Sequence, residues 1–211
     1  MKKLLMALAL LCVGTIAMAG PNAGGTLTVA LSEGTVYSGD DTPYCWNTVD
    51  QCVNAVTRVD DNGVVVLNVI AAFADAASPR VSGITFGITY GPNVFLVDLG
   101  GCGDFELPDG TWPAAGSGNA VTWGAAQTTQ LIDVYWFAAY DYYGVPDSFC
   151  LIPNPTQGAD FADDDIPANL DPIDCLGCFG FFQDGVLCCP NPEVPGACCF
   201  DGVCEVLFQD A

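Results

Sequence analysis

The chain contains no histidine and only four lysine or arginine residues in 211. The first absence excludes Ser-His-Asp and Cys-His nucleophilic arrangements, and with them the histidine-based zinc hydrolase sites. The second excludes the basic surface that nucleic acid or an anionic lipid layer requires, since 25 Asp and Glu give a formal charge of -21. Phosphate-loop chemistry is missing too. Gly100-Gly101-Cys102-Gly103 has neither the lysine nor the strand-to-helix context and predicts turns. Helical periodicity is almost absent, so the chain must find its regular structure elsewhere.

What is present begins with a leader. Met1-Lys2-Lys3 is a short basic start, Leu4 to Ala17 an apolar run, and Ala17-Met18-Ala19 the small-x-small pattern read by signal peptidases. Residues 1–19 are expected to be a cleaved signal peptide, with the mature chain starting at Gly20 and secreted to the extracellular space or cell surface. The apolar run is shorter than the roughly 20 residues a bilayer core demands, so no membrane insertion is expected after cleavage. Cys12 belongs to the leader. Cleavage also removes Lys2 and Lys3, which leaves Arg58 and Arg80 against 25 carboxylates, a formal charge of -23. With 51% hydrophobic residues the chain still lies on the folded side of the composition boundary. Its carboxylates repel one another, and bound divalent cations or high ionic strength would help it fold.

Short apolar runs broken by Gly, Pro, Asn and Asp predict strands at Thr26–Leu31, Gly63–Phe73, Val81–Tyr90, Val94–Leu99, Ala120–Trp123, Leu131–Tyr140 and Ser148–Ile152. Asp60-Asp61-Asn62-Gly63 is a tight-turn signal, and Gly91-Pro92-Asn93 predicts a hairpin connection. Together they specify an all-β fold: a two-sheet antiparallel β-sandwich of the jelly-roll or immunoglobulin-like kind, over residues 20–174. Past Asp133, the run Leu131–Tyr140 is apolar on both alternating faces. Such a strand belongs in mid-sheet, one face in the core and the other covered by a loop, another module or a ligand. The aromatics Tyr135, Phe137, Tyr142 and Tyr143 form a candidate platform for stacking on sugar rings; ordinary core packing is the alternative.

Removing the leader leaves eleven cysteines of the twelve. Cys45 and Cys52 bracket a short loop and are the expected local disulfide, with Cys102 and Cys150 as a second pair. Cys175, Cys178, Cys188, Cys189, Cys198, Cys199 and Cys204 crowd into residues 175–211, a cysteine-rich tail too short and loop-rich for a core of its own and expected to be held by disulfides. A four-thiolate zinc site including Cys175 and Cys178 is the competing chemistry. The odd count predicts a partner for the last thiol beyond Ala211 or in a neighbouring chain.

The carboxylates offer two site chemistries. Asp104, Glu106, Asp133 and Asp141 lie near aromatics and are the candidates for a carboxylate-based glycoside hydrolase. Asp160, Asp163, Asp164 and Asp165 cluster in a loop flanked by Gly158 and Pro167 and are candidate oxygen ligands for calcium; a solvated acidic loop is the alternative.

Gly196-Ala197-Cys198-Cys199-Phe200-Asp201-Gly202-Val203-Cys204 resembles a Gly-Ala-Cys-Cys…Asp-Gly-x-Cys module found in large secreted bacterial proteins, and Val81-Ser-Gly-Ile-Thr-Phe-Gly-Ile-Thr-Tyr90 resembles the paired strands of cohesin-like sandwich domains. These resemblances imply a multi-module secreted protein with a sandwich followed by small cysteine-rich units, and no catalysis. The expected function is a secreted, non-catalytic structural or adhesive module. Its partners would be other protein modules or subunits; an extracellular polysaccharide bound through exposed aromatics, and self-assembly into a filament or surface layer, are the alternatives.

Overall fold

A computed structural model describes residues 20–46, 49–190, 198–200 and 203–205. The expected signal peptide lies outside them. Two sheets pack face to face. The smaller holds β1 (Thr26–Leu31), β3 (Val65–Ala72), β8 (Leu131–Asp141) and β5 (Val94–Gly101), in that order. The larger runs β11 (Leu170–Pro172), β10 (Asp160–Ala162), β4 (Val81–Tyr90), β9 (Asp147–Ile152), β12 (Cys178–Phe181), β2 (Arg58–Val59), with β7 (Ser117–Gln127) also on β4 and β6 (Phe105–Glu106) on β7. A separate short pair joins β13 (Cys198–Phe200) to β14 (Val203–Glu205), Cys199 opposite Cys204. No helix among the described residues is long and apolar enough to cross a membrane.

Alternation builds the core. Leu27, Val29, Leu67 and Val69 from one sheet meet Ile84, Phe86, Val121, Phe149 and Phe161 from the other, all at most 1% exposed. Each such side chain contributes about 1.5–3 kcal/mol by leaving water. β8 is central as expected, paired with β3 on one edge and β5 on the other.

Gly91-Pro92-Asn93 is not a hairpin. It is a corner that carries the chain from β4 in the larger sheet to β5 in the smaller. The edges of β4 are already taken by β7 on one side and by β9 and β10 on the other, whereas β8 has an edge free for β5. The Asp60–Gly63 turn likewise links β2 to β3 across the two sheets.

The segment past residue 174, assigned above to the cysteine-rich tail, pairs with the sandwich. Asp174 N–H bonds Gly25 O, Leu27 N–H bonds Cys175 O and Gly177 N–H bonds Leu27 O, so the segment runs beside β1. It then enters the larger sheet as β12, antiparallel to β9 and parallel to β2, and sends Phe179 and Phe181 into the main core. The Phe-Gly-Phe alternation carried that signal.

The disulfides differ from the expected pairs as well. Cys45 joins Cys102, Cys52 joins Cys189, Cys150 joins Cys178, and Cys175 joins Cys188. Cys45 and Cys52 are close in sequence, but the fold delivers the end of β5 to one and the Pro190 segment to the other. Cys175 and Cys178, expected together in the competing zinc site, belong to two different bridges. The link from Cys52 to Cys189 spans 137 residues, and closing so long a loop restricts the unfolded chain by about 4–5 kcal/mol.

Candidate functional site

The outer face of the smaller sheet is built by the residues of β8 that point away from the core, Trp136, Ala138 and Tyr140. Its first half is covered. A loop crosses it and seats Tyr44, 1% exposed, edge-on against Trp136 with ring centroids 5.0 Å apart. Tyr44, Trp136, Ala138 and Val66 form a second small core. Three devices hold the loop there: the Cys45–Cys102 bridge, Asn68 Nδ2–H donated to Tyr44 O at 2.8 Å, and a turn in which the Tyr44 hydroxyl donates to Ser38 O at 2.6 Å. Gly100 in β5 makes room, since a Cβ there would lie 2.7 Å from Trp136 Nε1. Tyr37 closes the rim by donating its hydroxyl to Asp98 at 3.1 Å.

The second half is open. Phe95 on β5 stacks on Tyr140 at 5.7 Å, Tyr142 touches both, and Tyr143 meets Tyr142 edge-on at 4.9 Å. Phe95 is 46%, Tyr142 58% and Tyr143 68% exposed. Their backing is rigid. Asp141, fully buried at the end of β8, accepts N–H bonds from Tyr143, Gly144 and Val145 on Oδ1 and so shapes the turn that lifts the two tyrosines. Tyr142 N–H is bound to Asn93 O at 2.9 Å. Large aromatic surface held in fixed geometry loses little side-chain entropy on contact, which is why such groups anchor interfaces.

The four residues of the expected platform divide between surface and core. Tyr142 and Tyr143 are on the surface, whereas Tyr135 and Phe137 are 1% and 0% exposed in the main core. Strand parity explains the split, because residues 135 and 137 share the inward face and 136, 138 and 140 the outward one. Burial pushes the Tyr135 phenol well above its ordinary value. Phe95 and Tyr140 are the two members absent from the expected platform; they lie directly across from each other in the β5–β8 register, which is why they join the cluster.

The glycosidase candidates are engaged in structural hydrogen bonds or lie far apart along one strand. Asp104 accepts Gly124 N–H, and Glu106 accepts Gly101 N–H and Asn119 Nδ2–H. Asp133 and Asp141 stand at opposite ends of β8, about 26 Å apart at strand rise, well beyond the roughly 5–10 Å that paired glycosidase carboxylates require.

The acidic loop has a cation of its own. Arg80 reaches Asp163 at 3.5 Å, Asp164 at 3.0 Å and Asp165 at 2.8 Å. Asn169 donates to Asp163 from both its backbone and its side chain, and the latter bond foremost holds that carboxyl below the usual range. Asp160 is separate, on β10. Three of the four expected calcium ligands thus serve an internal ion-pair network, and among the described residues no group of three His, Cys, Asp or Glu side chains is arranged to hold a metal. A cleft of about 410 Å³ lies elsewhere, at the end of the sandwich beside the Cys52–Cys189 bridge.

No family model matches the chain, and no curated protein sequence matches it. Among solved structures it is similar to a cohesin module from the family 33 glycoside hydrolase of Clostridium perfringens, with TM-score 0.48 and 9% identity over 74% of this chain and 93% of that one. It is also similar to a non-cellulosomal cohesin of Archaeoglobus fulgidus, with TM-score 0.41 and 13% identity over 74% of this chain and 89% of that one. A type I cohesin of Pseudobacteroides cellulosolvens gives TM-score 0.41 and 11% identity over 58% and 84%. At these identities the likeness is one of fold alone, and the function of the chain has to be argued from its own surface.

Proposed function

We propose that the protein is a secreted, non-catalytic interaction module that engages another protein through the open half of its smaller sheet. The observation that carries this reading is the contiguous set Phe95, Tyr140, Tyr142 and Tyr143, displayed on a disulfide-stapled sandwich. Aromatic rings on a rigid sheet supply contact area, and the surplus of carboxylates over the whole chain favours a partner of positive charge. Attachment or adhesion in the extracellular space is the role that such a module serves.

A second reading is supported by the exposure of Tyr142 and Tyr143: stacking on the sugar rings of a neutral polysaccharide. The two separate in one experiment. Wild type and the double variant Tyr142→Ala/Tyr143→Ala are immobilised and presented with the extracellular proteins of the producing cells and, in parallel, with a glycan array. Protein capture that falls at least about tenfold in the variant, corresponding to loss of one well-packed aromatic anchor, supports the first reading. Variant-sensitive glycan binding replaces it with the second. Equal binding by both forms in both arms overturns the placement of the site.

A further inference from the structure

We infer that the α-ammonium group created by cleavage after Ala19 is the counter-charge of buried Asp171, so that leader removal closes an ion pair which the uncleaved chain lacks. The inference rests on the secretion reading above.

Gly20 N lies 2.9 Å from Asp171 Oδ1, and Asn22 N–H donates to Asp171 Oδ2 at 2.9 Å. Asp171 is the middle residue of β11, opposite Phe161 of β10, and only 5% exposed. A buried carboxylate without a cation is costly, and backbone amides offset only part of that cost. The side chains offer Asp171 no cation. The mature sequence has only Arg58 and Arg80; Arg58 is held by Asp60 and Asp184, and Arg80 by Asp163, Asp164 and Asp165. Within residues 20–211 the one remaining positive charge is the terminus at Gly20, and the structure seats that nitrogen on the buried carboxylate.

The seat is specific in shape. A Cβ on residue 20 would lie 2.3 Å from Asp171 Oδ2 and would have to displace that carboxylate, so glycine suits the seat. Asn22, fully buried, clamps the segment by donating Nδ2–H to Arg80 O at 3.2 Å and accepting Arg80 N–H at 2.8 Å. Ala23 N–H closes the turn on Gly20 O at 3.2 Å. In the uncleaved chain Gly20 offers one neutral amide hydrogen. Hydrolysis of the Ala19–Gly20 bond by water leaves the carboxylate on Ala19 and an amine on Gly20, which takes up a proton to present a full charge and three donors at the same point.

The test has two independent arms. Intact mass of the protein secreted with its leader locates the terminus, and a start other than Gly20 overturns the cleavage reading itself. Separately, chains of defined start are compared: free Gly20, acetylated Gly20, and Ala19-Gly20. The free Gly20 chain is expected to melt about 5 °C above the other two, as loss of a buried ion pair implies for a domain of this size, and Asp171→Asn is expected to erase the difference. Equal midpoints, or a difference that persists in Asp171→Asn, overturn the pair. Should Asp171→Asn fail to fold, labelling of residues 20–211 decides the matter, because this stretch has no lysine and so a single amine. Its acetylation by an amine-reactive ester is expected to be at least about tenfold slower in the native protein than in guanidinium, as for a group that reacts only through local opening; equal rates refute the seat.

Discussion

Trp136 and Tyr140 stand four residues apart on the same face of β8, yet Trp136 lies beneath Tyr44 and a loop pinned by a disulfide, whereas Tyr140 is backed only by the aromatics beside it. Both halves of this face are aromatic, so composition does not separate them. What separates them is covalent and hydrogen-bonded restraint: the first half has Cys45–Cys102, Asn68 and the Ser38–Tyr44 turn to hold its cover down, and the second has the Asp141 turn and the Tyr142–Asn93 bond, which raise Tyr142 and Tyr143 rather than covering anything. A sheet face closed over part of its length and left open over the rest divides into a stability element and, on the function proposed above, a contact surface.

The largest test of that division is Trp136→Ala. Truncating a buried tryptophan costs about 3–5 kcal/mol, which for a domain of this size lowers the melting midpoint by about 10 °C. Calorimetry that found an unchanged midpoint would show that the loop does not pack as a second core. Next comes the staple. Cys45→Ser/Cys102→Ser should cost about 2–4 kcal/mol and, by loosening the cover, shift tryptophan emission to longer wavelength before global unfolding. If the emission does not move until the whole domain melts, the loop holds without its disulfide, and the restraint argument loses its main support.

Much of this arrangement was legible in the sequence. Thr26–Leu31 and Val81–Tyr90 are strands over the predicted residues, because turn residues bound them on both sides. The covered face of β8 was also legible, since a strand apolar on both sides has to be buried on both. The parity was not: with apolar residues at 134 to 139 throughout, nothing local says whether 135 and 137 or 136 and 138 meet the opposite sheet, and that choice decides which aromatics remain outside. The disulfides failed for a related reason. Short loops close most cheaply in an unfolded chain, which favours Cys45 with Cys52, but in the native sandwich the partners are chosen by strand placement across 57 and 137 residues. The strand Cys178–Phe181 was hard to see among the cysteines after Asp174 because it is only four residues long, and Phe179 and Phe181 give a single period of alternation.

A smaller effect is expected at Asp141, where the comparison can be sharpened from the open side. Asp141→Ala removes the acceptor of three N–H groups and should cost about 2 kcal/mol, while Asp141→Asn, which keeps one carbonyl oxygen in the turn, should cost less. The more telling readout is the surface: partner binding should fall with Asp141→Ala and recover with Asp141→Asn. Loss of stability in both variants with no change in binding would mean that the turn does not present Tyr142 and Tyr143.

The smallest predicted effect on stability is at Phe95, and it discriminates most sharply between a contact surface and a half-formed core. Aromatic pairs contribute about 0.5–1.5 kcal/mol beyond the area that they bury, and Phe95 contacts both Tyr140 and Tyr142. If those contacts mattered for folding as the Tyr44–Trp136 pair does, Phe95→Ser would cost well over 1 kcal/mol. If they merely hold rings in place for a partner, most of that pair energy is offset by returning an exposed apolar group to a polar one, and the change stays within about 0.5 kcal/mol, as for ordinary surface substitutions. Urea denaturation of Phe95→Ser beside Trp136→Ala reads both sides of the division in one measurement. Equal losses would make the whole outer face structural, whereas a loss confined to Trp136→Ala, with binding reduced in Phe95→Ser, leaves the open half to the partner.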